Sequence, residues 1–375
     1  MDLSPDQIIE NGQARARSQQ PRPDKSAARR HVQPGSLGPL VGPAWPISAM
    51  VLSSLRRSAA FSQNAAWGYA YGQPDRLLQA ARRAAAEQWD FLAPAHAVEK
   101  ALQDVREGPL SDATKRSVVA ALAQHLPRTL DRSLPPSILD LYPRAVTTLA
   151  GSLEDGRPYD EDLFAKDIRF VSGAAVPAGA QAVDVLFSSS PASHLGRLRR
   201  MAGTVGRLVR NGEVHQACSF LAHRGMGDWL QIHTDTRDIS DFNPEGWDRC
   251  YHRVADLLVA RPKLAGMLGI SWFYDPSLEE ISPRLSYLRE RPLRNGAFLV
   301  RLRASALDAE RAGAASPTRR RLIKAGTYLP VCHALFWPRR ELLQWANKID
   351  RMGVTLSPMR FLARSENSRA FAPDY

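Results

Sequence analysis

Cysteine is scarce in this chain: only Cys218, Cys250 and Cys332 occur among 375 residues. They are far apart and sit in apolar surroundings, which excludes a disulfide scaffold and a cysteine-built zinc cluster and suits buried thiols in a reducing compartment. Long apolar runs are missing as well. No uninterrupted stretch approaches the roughly 20 residues needed to cross a bilayer, and the first residues are too polar for a signal peptide. The expectation is a soluble, cytoplasmic protein with no membrane partner. Acidic residues are outnumbered, 38 against 50 Lys and Arg, giving a formal net charge of +12. Such a balance raises nucleic acid as a partner. Aromatics are few, however, and nowhere interleave with basic residues as a single-strand binding groove requires. An anionic small substrate or cofactor is the better reading of the charge.

What is present is a helical pattern followed by an alternating one. Residues 1–44 carry scattered charge, Gln, Pro and Gly, and Pro34-Gly35-Ser36-Leu37-Gly38-Pro39 has no regular period, so an extended or unstructured arm is expected. From residue 45 to 150, apolar residues recur at three- and four-residue spacing over Ser54–Phe61, Pro74–Phe91, His96–Val105, Ser111–His125 and Pro136–Leu149, predicting an all-helical lobe. The charged stretch 151–167 marks a boundary. Beyond it, residues 168–362 read as an α/β domain, a mixed open sheet flanked by helices, and 363–375 as a tail. Strands are expected at Ala182–Phe187, Cys218–Ala222, Trp229–His233, Leu264–Tyr274, Ala297–Leu302 and Val331–Trp337. The second and third of these would form a hairpin around His223–Asp228. A final short strand is placed at Arg360–Leu362. The strongest helix start is Asn243-Pro244-Glu245: a capping amide, a proline at the first helical position and a carboxylate facing the dipole.

The stretch Trp229–Asp275 organises the rest. Strand, helix and strand follow one another, and polar groups emerge where each strand stops, which in an open sheet is where ligands bind. His233-Thr234-Asp235 is the sharpest local feature, because alternate residues of a strand point to one side. With His333 or His252 as a third ligand, His233 and Asp235 would make a two-histidine, one-carboxylate set suited to non-haem iron. In these residues the chain resembles the iron- and 2-oxoglutarate-dependent oxygenases, which implies Fe(II) and 2-oxoglutarate as cofactors, with Arg339 or Arg340 on the latter.

The preferred resemblance is to the acyl-CoA-dependent N-acyltransferases of the GNAT superfamily. It is carried by the order of strand Trp229–His233, helix Pro244–Ala260, strand Leu264–Tyr274, later helix and later strand. The run Ser316-Pro317-Thr318-Arg319-Arg320-Arg321-Leu322-Ile323-Lys324-Ala325-Gly326-Thr327-Tyr328 is similar to that family's late helix and its alanine-glycine-aromatic turn. This resemblance covers the C-terminal half and implies acyl-CoA as donor and a small-molecule or peptide amine as acceptor. Such chemistry needs a base, a proton donor for the thiolate and cations or amides for phosphate. His233, Asp235 or Glu279 is assigned as base and Tyr274 as proton donor. Arg237, Arg319 and Arg320 are assigned to the cofactor, and Arg224 and Trp272 to the substrate. A third reading, a non-catalytic protein- or nucleic-acid-binding protein, leaves these strand-end groups incidental.

Overall fold

The computed structural model of the protein describes residues 70, 72–87, 90–103, 108–187, 191–222, 227–234, 239–302, 304–314 and 316–352. The expected arm, the helix Ser54–Phe61 and the strand Arg360–Leu362 lie outside these residues. The first helices are α1 (Pro74–Glu87), α2 (Ala93–Leu102), α3 (Asp112–Ala123), α4 (Tyr142–Glu154) and α5 (Glu161–Val171), with single turns at Leu126–Thr129 and Pro136–Leu139. Their starts follow from local chemistry. Ser111 accepts the amide of Thr114, and Asp160 accepts that of Leu163 at 2.8 Å, each satisfying a donor that the first turn leaves open. The α1 stripe buries Leu77, Leu78, Ala81 and Ala84. Helix α5 packs on α1, α2 and α3 and also touches the first strand, so it joins helices to sheet.

A six-stranded mixed sheet makes the fold α/β, in the order β1-β2-β3-β4-β6-β5. The strands are β1 (Ala175–Pro177), β2 (Gln181–Asp184), β3 (Trp229–Thr234), β4 (Gly266–Ser271), β5 (Phe298–Arg301) and β6 (His333–Pro338). Only β3 and β4 run parallel; every other neighbouring pair is antiparallel. Parallel neighbours need a long crossover, supplied here by the helix Pro244–Ala260. The remaining longer helices are α6 (Pro191–Arg210), α7 (Val214–Ala222), α8 (Pro244–Ala260), α9 (Tyr287–Arg294), α10 (Ala306–Ala314), α11 (Pro317–Lys324) and α12 (Arg339–Arg351).

Register fixes which residues share a face, because side chains alternate along each strand. One face carries Trp229, Leu268, Phe298 and Phe336, packed with Leu208 of α6 and Phe220 of α7. The other carries Trp337, whose ring meets Tyr251 of α8 and Trp345 of α12 at 5.2 and 5.3 Å. The first contact is edge-to-face and the second tilted, and such ring pairs add to the area each ring buries.

Local expectations change at several points, and the helix expected over Pro136–Leu149 is a single turn followed by α4. Cys218–Ala222 is helical, not a strand, so no hairpin joins it to β3. Its buried residues, Ala217 and Phe220, stand three apart, a helical spacing hidden inside a short apolar run. Strand β4 stops at Ser271, whose hydroxyl accepts the amide of Phe273 and starts a tight turn over Trp272–Tyr274. Strand β1 carries only three residues and has no period to read.

Candidate active site

The two parallel strands do not stay together. They pair from Trp229 opposite Gly266 to Ile232 opposite Gly269. Past that point β3 remains with β2, His233 facing Ala182 and Thr234 facing Gln181. Strand β4 remains with β6, Ile270 facing Ala334 and Ser271 facing His333. The sheet therefore parts at the C-terminal ends of its central strands, leaving two strand edges without ladder pairing between them. Ile270, although on an inner strand, is 43% exposed there.

His233 is the first residue beyond the parting. Its Nε2 lies 2.8 Å from Oδ2 of Asp184 at the end of β2. The same oxygen accepts from Arg169 of α5 at 2.9 Å. Arg169 is nearly fully buried; its other donors go to the carbonyls of Phe91 and Asp90, and its guanidinium lies over the Phe91 ring. That ring also contacts the imidazole, with centroids 4.8 Å apart. Burial by itself would push the Asp184 carboxyl up, but His233 and Arg169 outweigh it and hold the carboxyl below its ordinary range. An ionised carboxylate only accepts hydrogen bonds, so Nε2 of a neutral His233 is the protonated nitrogen. The lone pair then sits on Nδ1, the arrangement of an oriented base.

A cavity of about 80 Å³ opens beside this group, bounded by α4, α5, β1 and the ends of β2 and β3, with His233 and Thr234 in its wall. Asp241, just before α8, accepts from Arg249 at 2.6 Å and from Arg144 of α4 at 3.4 Å, tying the helix start to the cavity rim. The Asn243 side chain accepts the Gly246 amide at 2.8 Å, the predicted cap. A Cβ at Gly246 would overlap the Asp241 carbonyl oxygen, so this turn needs glycine.

On the opposite face, Tyr274 folds back beneath β4. Its hydroxyl fills the space that a Cβ of Gly269 would need, directly under the last pair before the strands part. Burial raises its phenol above the ordinary value.

The other sequence candidates divide. Arg224, Asp235 and Arg237 lie outside the described residues. Glu279 forms an ion pair with Arg289, a buried guanidinium whose Nε and one terminal nitrogen have no hydrogen-bond partner among the described residues. Arg319 is buried: it donates to the Ala312 carbonyl and the Ser282 hydroxyl and lies over the Trp272 ring. Arg320 donates to the carbonyls of Gly313 and Ala314. Both arginines thus close the end of α10. His252 bonds Asp350 at 2.8 Å. His333 aligns with Ser271, which puts its side chain on the face opposite that of His233, two strands away. Those two histidines therefore do not meet at one ion, and no group of three candidate metal ligands occurs among the described residues.

Asp184 and Arg169 were not among the sequence candidates. The available signal was a lone carboxylate in the apolar run Ala182-Val183-Asp184-Val185, an expensive placement unless it is paired. The chain matches no family model, no curated protein and no solved structure.

Proposed function

We propose that the chain transfers an acyl group from acyl-CoA to an amine. The parting of β3 and β4 carries this reading. Two unpaired strand edges side by side suit a narrow, extended ligand bearing amide groups, which hydrogen-bonds to them as an added strand would. The pantetheine arm of coenzyme A is such a ligand.

The amine nitrogen attacks the thioester carbonyl, the carbon–nitrogen bond forms and the carbon–sulfur bond breaks. Nδ1 of His233 takes the proton from nitrogen, while Asp184 steadies the imidazolium. The imidazolium then hands that proton to the departing thiolate, which leaves the histidine neutral for the next turnover. Tyr274, buried on the opposite face, supports Gly269 from below. Binding of coenzyme A followed by calorimetry, and thiol release followed colorimetrically with mixed amines, test the reading. Absence of binding at millimolar coenzyme A, or turnover unchanged in His233→Gln, overturns it.

A further inference from the structure

The lining of the cavity beside His233 has a chemistry of its own. A volume of about 80 Å³, at roughly 10–15 Å³ for a water-sized group, holds roughly five to eight such groups. Phe170 and Leu149 make part of an apolar wall, whereas Arg144 and Lys166 bring positive charge to it. Among the described lining residues there is no Asp or Glu. The acids that pair with these cations, Asp241 and Asp162, are not in the lining. Such a lining disfavours a simple ammonium ion and favours a compact apolar molecule that carries a carboxylate.

We propose that the cavity binds a free α-amino acid with a small aliphatic side chain, no larger than that of valine. Its carboxylate faces Arg144 and Lys166, its side chain packs on Phe170 and Leu149, and its amine faces His233. The fate of that amine rests on the acyl-transfer reading; the binding itself does not.

Titration calorimetry on the full chain, with L-valine, L-valinamide and 3-methylbutanoate as probes, tests this. Valine is expected to bind at least tenfold more tightly than either analogue, since each lacks one of the two recognised groups. Ala145→Leu and Ala182→Leu, which fill the cavity from two walls, are expected to weaken valine at least tenfold without changing coenzyme A binding. Circular dichroism checks that each variant is folded, and the ligand series on the unaltered chain decides the matter should either fail. No valine binding, equal binding of valinamide, or undiminished binding by folded filled variants overturns the proposal. Valine binding without acyl turnover upholds it and sinks the acyl-transfer reading instead.

Discussion

One oxygen of Asp184 holds both His233 and Arg169, so the imidazole is only as well placed as that carboxylate. His233→Gln removes the base and is expected to lower kcat/KM about 10²- to 10⁴-fold with little change in the melting temperature, measured by thiol release and thermal unfolding. Asp184→Asn strands the buried Arg169 charge and is expected to cost about 3–5 kcal/mol at neutral pH in denaturant titrations. Because the carboxyl is held below its unfolded value, of about 3.9, its contribution is complete above that value. It is lost as pH falls through the folded value. The stability gap between the parent chain and Asp184→Asn therefore narrows below about pH 4. A gap that stays constant down to pH 2.5 would contradict the pairing. Only the histidine of this group was legible beforehand. It closes an apolar strand, a local pattern, whereas its partner lies 49 residues away and the arginine a further 15. Neighbouring residues say nothing of pairing across such distances.

Helix starts were the most legible elements, since a cap and its target amide stand three residues apart. Asn243→Ala is expected to destabilise the fold by about 1 kcal/mol, read from the urea midpoint. Gly246→Ala is more severe, because the obstructing atom is a backbone carbonyl that cannot rotate aside. It is expected to shift Asp241, release Arg144 from the cavity rim and weaken valine binding along with stability; unchanged stability would argue against so close an approach of the Asp241 carbonyl. Strand ends were less legible. The run Leu264–Tyr274 is apolar apart from Gly and Ser, and what stops β4 inside it is the capping hydroxyl of Ser271 and the room Gly269 leaves for Tyr274. Hydrophobic pattern alone does not report either. The same blindness made a strand of Cys218–Ala222.

At the scale of the molecule, the order of helices followed by alternating strands and helices was legible, but the strand order was not. Sequence neighbours β5 and β6 pair, yet β6 also inserts beside β4, a choice made by partner faces and not by local pattern. No helix among the described residues is long and apolar enough to cross a membrane. The early helices and the later part of the fold are cross-linked by Arg169 to Asp184, Arg144 to Asp241, Arg261 to Asp131 and Ser137 to Asp256. Thermal unfolding followed by far-ultraviolet circular dichroism and by tryptophan fluorescence is expected to give one shared midpoint; two separated midpoints would show that these links do not couple the halves. In all four links the earlier partner belongs to the helices or the turns between them, and the later one to the sheet, to α8 or to the residues flanking α8. Synthesis therefore delivers the early helices to the tunnel exit ahead of the carboxylates that Arg169 and Arg144 hold in the finished fold. The Arg169 latch can close 15 residues further on, at Asp184, whereas the link from Asp131 waits until Arg261 has left the ribosome.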